Sequence, residues 1–315
     1  MKIGIISNSD LFIPLAGALV AQQQQVYLFF SRSPDAYINQ KVEHYIKISK
    51  FSMVQEDDHS HNLYKWITDS KLDACFVLGY SKLIREDVLK RYGSQLFNVH
   101  FGLLPEFKGP TPVFWQLKQG IPKLGLSIHR LTSKFDDGSI VWHKEIDNQD
   151  YFNYKYVEQL FGNICIEGVF FLLSLMLQKL PVLEIQSKGG VPSYHSKPKM
   201  EDVLVHWNSM KAQEICSLVK ACNPWNKGAL TFYKGQEVKI LDARVVINED
   251  NDTAGTMVAL GDMLKVKCCD GSNAVEINML YFMDSYFPAY CLAELGFKIG
   301  HSFEDFSEIK IESIR

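Results

Sequence analysis

The chain has 315 residues, of which 47% are hydrophobic and 22% are charged. This composition excludes a disordered or fibrous protein, and the length favours roughly two domains. With 33 basic and 36 acidic residues, the net charge of −3 argues against a protein that holds a large nucleic acid by its phosphates.

The N-terminal part of the chain alternates strand-like and helix-like segments. We expect strands at Lys2–Ser7, Gln25–Phe30, Ala74–Leu78, Leu96–His100, Gly125–Arg130 and Ile140–Ile146, and helices at Leu11–Gln22, Leu63–Asp69, Arg85–Arg91 and Thr111–Gln119. The polar sequence after the second strand carries no predicted element. This alternation predicts an α/β fold with a mostly parallel, Rossmann-like sheet, in which ligands bind at the carboxyl ends of the strands.

A long helix is expected over Tyr154–Leu180, where apolar residues recur at helical spacing. Its longest apolar run, GVFFLLSLML, is ten residues, whereas a membrane span needs roughly 20. The N-terminus, MKIGIISNSD, does not resemble a signal peptide. We therefore expect a cytoplasmic protein with no membrane partner.

The C-terminal part changes character. A helix is expected over Asn208–Ala221, with Asn208 or Ser209 as its N-cap, followed by five short strands at Gly228–Tyr233, Val238–Val246, Gly255–Leu260, Met263–Cys268 and Ala274–Tyr281. This pattern favours a small β-barrel of the oligonucleotide-binding (OB) type. The expected organisation is an α/β domain over 1–186, a linker over 187–200 and an OB-like domain over 201–315. Seven cysteines without a C-x-x-C pair indicate reduced thiols.

The chemistry is concentrated between Leu96 and Val141. Asn98 and His100 lie two residues apart at the end of a predicted strand, so their side chains point to the same face. The loop that follows, GLLPEFKGPTP, is given a fixed and irregular course by two glycines and three prolines. A later loop carries Asp136, Asp137 and Gly138.

These residue types suit acyl transfer to an amine. An amide and an imidazole N–H can stabilise a tetrahedral oxyanion, by roughly 3–4 kcal/mol per donor. His100 can also accept the amine's proton, and a neighbouring carboxylate can stabilise the imidazolium. By themselves an Asn-x-His pair and an Asp-Gly turn are weak signals. We expect His129 to be a structural residue at the edge of the core, and Phe114 and Trp115 to pack in the core, whereas Phe107 is a candidate for stacking on a sugar or nucleobase.

The segment NVHFGLLPEFKGPTPVFW resembles the N-x-H-x-S-L-L-P-x-x-R-G-x-x-P motif of the folate-dependent formyltransferase family. FDDGSIV is similar to the family's second motif, and the separation of 36 residues between His100 and Asp136 matches the family's spacing. LDACFVLGYSKLI resembles the strand and loop beside the pterin ring, and LVKACNPW resembles a signature of the C-terminal domain. The resemblance therefore covers nearly the whole chain.

The resemblance implies a formyltransferase that uses 10-formyltetrahydrofolate and no metal. It places the catalytic residues at Asn98, His100 and Asp136. The implied folate contacts are Lys82, Leu83, Ile84, Leu104, Thr132, Ser133, Lys134, Phe135 and Gly138, and the implied acceptor contacts are Gly102, Phe107, Lys108 and Pro110. Two of these depart from the motif, since Gly102 replaces a serine and Lys108 replaces an arginine.

The leading acceptor is a small-molecule amine, most of all an amino sugar linked to a nucleotide. Methionyl-tRNA is an alternative, but the family's tRNA-specific enzymes carry a basic insertion after the second strand, and SRSPDAYINQKVEHYIKISK is short and mixed in charge. A hydrolase that passes the formyl group to water is a further alternative. The barrel could instead bind an oligonucleotide, although acidic residues dilute its cations. The expected partners are a small amine and, in a homodimer, a second copy of the chain.

Overall fold

The computed structural model describes residues 1–49, 51–57, 62–186 and 190–305. Contacts divide the chain into two compact units. The first comprises Met1–Pro112, Lys123–Ile146 and Glu158–Ser196, and the second comprises Val113–Pro122, Asp147–Val157 and Lys197–Arg315. Residues 187–189 of the expected linker lie outside the described residues.

The first unit contains a seven-stranded sheet in the order β3-β2-β1-β4-β5-β6-β7. The strands are β1 Lys2–Ser7, β2 Gln25–Phe30, β3 Ser52–Gln55, β4 Ala74–Leu78, β5 Leu96–His100, β6 Lys123–Arg130 and β7 Ile140–Asp147. Neighbours from β3 to β5 are parallel, whereas β6 runs antiparallel to β5. The mostly parallel sheet that the alternation predicted is therefore confirmed.

The helices of this part of the chain are α1 Ile13–Ala21, α2 Ala36–Ser49, α3 Asn62–Ser70, α4 Glu86–Tyr92, α5 Pro112–Lys118 and α6 Tyr154–Leu177. One face of the sheet buries Ile6, Phe29, Val77 and Leu96 against α3 and α4, among a larger apolar cluster. Such burial, at about 25 cal/mol per Å² of apolar surface, is the main force that holds α3 and α4 to the sheet.

The sequence analysis predicted no element in the polar segment after β2, but α2 and β3 lie there. In α2 the apolar residues Ile38, Val42, Tyr45 and Ile46 recur at helical spacing, but only Val42 is fully buried and the other three are partly buried. The strand β3 is a four-residue edge strand with no fully buried residue. Strand β3 is therefore fixed by its pairing with β2 more than by its own hydrophobic pattern.

By length and composition alone, helix α6 is long and apolar enough to cross a membrane. The ten-residue run GVFFLLSLML on which the sequence analysis relied is only part of this apolar helix. Its buried residues recur at helical spacing, at Val157, Phe161, Cys165, Val169 and Leu172. Phe161 packs against Phe101, with ring centroids 5.7 Å apart. This stripe is typical of a core helix.

The second unit contains α7 Ala212–Cys222 and a six-stranded antiparallel sheet, ordered β10-β11-β12-β9-β8 with β13 paired to β12. The strands are β8 Ala229–Tyr233, β9 Gln236–Ile247, β10 Met257–Leu260, β11 Leu264–Lys267, β12 Asn273–Phe282 and β13 Ser285–Pro288. Isolated bridges join Ser302 to Thr256, beside β10, and Glu304 to Phe232 of β8. The segment 302–304 therefore connects the two edge strands of this sheet. The antiparallel C-terminal domain is confirmed, and its OB-type assignment stays a prediction.

The start of α7 differs from the expected N-cap. The helix begins at Ala212, where the Lys211 N–H donates to the Glu214 carboxylate (2.7 Å). Asn208 instead donates its side-chain amide to Asp305 (3.0 Å).

The core role expected of Phe114 is confirmed, because its ring is fully buried and lies 5.8 Å from the Trp225 ring. Trp115 is half-buried beneath the Lys118 ammonium.

Candidate active site

Strand β5 places Asn98 and His100 on one face of the sheet. The intervening Val99 and the preceding Phe97 are buried on the other face. In the antiparallel register Asn98 lies directly opposite His129 of β6, and His100 lies opposite Ser127. The sheet therefore brings Asn98, His100 and His129 together on one surface.

Asp136 reaches this surface from the loop that follows β6. Its Oδ1 atom lies 3.3 Å from Asn98 Nδ2, 3.4 Å from His100 Nδ1 and 3.5 Å from His129 Nε2. Its Oδ2 atom accepts a hydrogen bond from the Gly109 N–H (2.9 Å). The three predicted catalytic residues are therefore close together, because Asn98 and His100 both face one carboxylate oxygen of Asp136.

His129 is a member of this cluster that the sequence reasoning did not assign to the site. Its side chain is 1% exposed, and its Nδ1 lies 2.8 Å from the Arg130 carbonyl oxygen, which can only accept. Nδ1 therefore carries the proton, and the neutral Nε2 accepts a hydrogen bond from Asn98 Nδ2 (3.0 Å). The signal that could have revealed this residue is its place opposite Asn98 in an antiparallel pair.

His100 faces an oxygen atom at each ring nitrogen. Nε2 lies 2.6 Å from the carbonyl oxygen of Phe107, so it donates a proton there, and Nδ1 faces Asp136. Burial lowers the pKa of His100 below its ordinary value, although the Asp136 carboxylate and the Phe107 carbonyl act in the opposite direction. The neutral form therefore presents its lone pair at Nδ1, towards Asp136.

Asp136 stays ionised despite its burial. Desolvation raises its pKa, but the neighbouring His129 and His100 side chains and the hydrogen bond from the Gly109 N–H together hold the pKa below its ordinary value. Its φ of +50° lies in the left-handed region, which an aspartate tolerates better than most residues. The site therefore contains a fixed negative charge beside two imidazoles.

Gly138 is required by the sheet. A Cβ atom there would lie 1.7 Å from the Arg130 carbonyl oxygen and 3.3 Å from His129 Nδ1. The close approach at Gly138 is therefore to the backbone of β6. A folate contact at this residue stays a prediction.

The expected acceptor residues in the loop between β5 and α5 differ in their exposure to solvent. Gly102 and Phe107 are buried, Lys108 pairs its ammonium with Asp137, and Pro110 is exposed. Because the Phe107 ring stacks on His195, it could stack on a substrate only by leaving that partner. Within the described part of the chain, no group of three or more His, Cys, Asp or Glu side chains could hold a metal ion.

Two family models match this chain. Residues 1–151 match the formyl transferase model, and residues 197–284 match the model of the formyl transferase C-terminal domain. The chain belongs to the formyl transferase family. The family resemblance that the two motifs indicated is therefore confirmed.

Individual relatives are distant. The chain is 30% identical over 209 residues to the bifunctional polymyxin resistance protein ArnA of Wigglesworthia glossinidia brevipalpis, covering 64% of this chain but 31% of that protein. It is 25% identical over 223 residues to methionyl-tRNA formyltransferase of Natranaerobius thermophilus, covering 69% of this chain and 70% of the relative.

The fold is similar to that of an N-formyltransferase from Helicobacter canadensis, solved with folinic acid and dTDP-3-aminofucose. The TM-score is 0.68 at 13% identity, and the match covers 88% of this chain and 99% of the other.

The resemblance implied folate contacts in the loops that follow β4 and β6, and these contacts stay a prediction. Ile84 is buried, but Leu83 is 48% exposed, and Lys82 Nζ binds the buried Glu56 carboxylate (2.8 Å). Phe135 is 44% exposed. Leu104 is buried, and its N–H donates to Ser127 Oγ (3.1 Å).

The turn that precedes Phe135 is closed by Thr132. Its hydroxyl donates to the Lys134 carbonyl oxygen (3.0 Å), and Ser133 and Lys134 are exposed.

Proposed function

We propose that this protein is an N-formyltransferase that transfers a formyl group from 10-formyltetrahydrofolate to the primary amine of a small molecule. The observation that carries the proposal is the convergence of Asn98, His100 and His129 on the Asp136 carboxylate, in a chain of this family. Such a cluster offers a hydrogen-bond donor, a proton acceptor and a fixed charge within one contact distance of each other.

The first task is to stabilise the oxyanion that forms when the amine attacks the formyl carbon. Asn98 Nδ2 has two N–H groups, one directed at His129 Nε2 (3.0 Å) and one at Asp136 Oδ1 (3.3 Å). The longer bond is the weaker one, so the formyl oxygen would replace Asp136 as the acceptor. His129 would hold the amide in this orientation, because its Nε2 cannot donate while Nδ1 carries the proton.

The second task is to remove a proton from the attacking nitrogen. The neutral His100 presents its lone pair at Nδ1, beside Asp136. The proton would move to Nδ1, and the resulting imidazolium would donate to both Asp136 and the Phe107 carbonyl oxygen. When the bond between the formyl carbon and folate N10 breaks, this proton would pass to N10, so that charge and protons balance.

The two exposed apolar side chains suit a pteridine ring. Leu83 and Phe135 project from the loops after β4 and β6, where a flat heterocycle would bury apolar surface. We propose folate contacts at Lys82, Leu83 and Ile84 and on the other side at residues 132–135, with Leu104 and Gly138 completing the site.

We further propose an amino sugar linked to a nucleotide as the acceptor, which would reach Pro110 and Lys108 at the rim. Support comes from the fold, which matches almost the whole of an N-formyltransferase solved with such a sugar. The segment after β2 also lacks a strongly basic character. Residues 31–49 hold three basic and two acidic side chains, and Lys41 among them pairs with Asp10 (2.5 Å).

The test is a formyl-transfer assay with 10-formyltetrahydrofolate against nucleotide-linked amino sugars, small free amines and methionyl-tRNA. We expect transfer to at least one nucleotide-linked amino sugar. Transfer to methionyl-tRNA alone would contradict the proposed sugar acceptor and favour the acceptor named for relatives such as the Natranaerobius thermophilus enzyme. Formyl release that is equal with and without an amine would identify a hydrolase.

A further inference from the structure

The chain between the two matched regions pairs with the loop that follows β5. The Lys108 N–H donates to the Ser193 carbonyl oxygen (3.1 Å), and the His195 N–H donates to the Lys108 carbonyl oxygen (2.9 Å), as in a parallel β-bridge. The Ser193 N–H also donates to the Pro105 carbonyl oxygen (3.2 Å). We call residues 193–195 the strap; it lies in the first unit together with the loop.

Side chains add to this pairing. The His195 ring stacks on the ring of Phe107, with centroids 5.8 Å apart and planes at 21°. Ser193 Oγ lies 3.1 Å from His195 Nε2, which fixes the orientation of the imidazole. At Gly109, whose φ is +115°, a Cβ atom would lie 2.0 Å from the His195 carbonyl oxygen. The loop therefore approaches the strap so closely that only glycine fits.

The same short piece of loop also contacts the catalytic cluster. The Phe107 carbonyl oxygen lies 2.6 Å from His100 Nε2, and the Gly109 N–H donates to Asp136 Oδ2 (2.9 Å). Residues 107–109 thus connect the strap directly to two proposed catalytic side chains.

Gly102 makes the contact between loop and imidazole possible. A Cβ atom at this residue would lie 2.6 Å from the Phe107 carbonyl oxygen and 2.7 Å from His100 Nε2. The motif that this segment resembles has a serine here. In this chain the space of that side chain is taken by the Phe107 carbonyl group, so the strap-bound loop supplies the partner of His100.

We propose that the strap is a positioning element of the active site, which holds the backbone of residues 107–109 against His100 and Asp136. His195 is its central positioning residue and acts through Phe107. The catalytic consequence rests on the proposed formyl transfer, whereas the clamping of the loop does not.

The experiment compares His195→Ala with His195→Phe and with Val191→Ala, a change of an exposed side chain just before the strap. Turnover is measured with the amine acceptor found for the wild-type enzyme, and amide hydrogen exchange is measured at Lys108, Gly109 and His195. We expect His195→Ala to lower kcat about tenfold with nearly unchanged KM, since misplacement of catalytic groups slows the chemical step. Exchange at Gly109 should become about threefold to tenfold faster.

His195→Phe keeps a planar ring over Phe107 and should restore both properties, and Val191→Ala should match the wild type. Unchanged kcat and exchange in His195→Ala would overturn the proposal, as would a loss of activity that only follows the loss of folded protein. If the wild type transfers no formyl group, the proposed function fails. The exchange data then still decide whether the strap clamps the loop.

Discussion

The two sides of the candidate active site are held in different ways. Asn98, His100 and His129 lie on neighbouring strands, where the sheet's backbone hydrogen bonds fix their spacing. Asp136 comes from a loop, and its position depends on the Gly109 N–H and on the side chains that it contacts. One side is set by regular secondary structure and the other by individual contacts across the fold.

This difference indicates where the site tolerates change. A strand residue cannot move without disturbing its neighbours in the sheet, whereas a loop residue can move if one or two contacts are lost. We therefore expect substitutions of the strand-borne groups to remove a chemical function. Changes around the loop should alter its placement and its stability.

The largest expected effect is on the strand side. His100→Ala and Asn98→Ala should each lower turnover on the order of 10² or more with the fold intact, because each removes a group that acts on the reacting atoms. Steady-state kinetics and circular dichroism check this, with His143→Ala, an exposed histidine on β7, as the control. Near-normal turnover in both variants would contradict the proposed roles.

The next effect is on the loop side. Gly138→Ala should lower the free energy of unfolding by about 1–3 kcal/mol, because its Cβ would overlap the Arg130 carbonyl oxygen. Urea unfolding measures this. Gly93→Ala is the control, since a Cβ there meets no atom within 4 Å. Equal stability of the two variants would show that the loop adapts freely.

A smaller effect is expected at His129, which joins the two sides. His129→Ala removes the acceptor of the Asn98 amide and should lower kcat about tenfold. His129→Gln can place an amide oxygen near the lost Nε2 atom and should recover part of the rate. An alanine variant as fast as the wild type would mean that Asn98 is oriented without His129.

The smallest effect concerns pH. Because the pKa of His100 is lowered, its neutral form persists to lower pH. The acid limb of kcat/KM should therefore lie below about 6.5, the ordinary histidine value. Asp136 has a lowered pKa too and remains ionised across this limb. A limb that lies above the ordinary histidine value would show that His100 is charged in the active form.

Some elements of the fold were predicted from the sequence and others were not. The bounds of β1, β2, β4 and β5 were predicted as the structure has them, because each is a short, mostly apolar segment bounded by polar residues. The helix α2 and the strand β13 were missed. In α2 the apolar residues at helical spacing are mostly only partly buried and lie among polar ones, and β13 is only four residues long, so neither pattern stood out in the sequence.

The rule that ligands bind at the carboxyl ends of strands directed the prediction to the ends of β4 and β5. It did not anticipate that β6 runs antiparallel to β5 and that its loop returns across the sheet face.

The sequence by itself determined that Asn98 and His100 share a face, because side chains alternate along any strand. It also determined the family, because two motifs lie at a fixed separation. Only the tertiary structure decided that His129 completes the cluster, that Phe107 caps His100 through its carbonyl group, and that residues 193–195 support that loop. These contacts join parts of the chain that lie far apart in sequence, and they arise from strand order and close backbone packing, which no local pattern encodes.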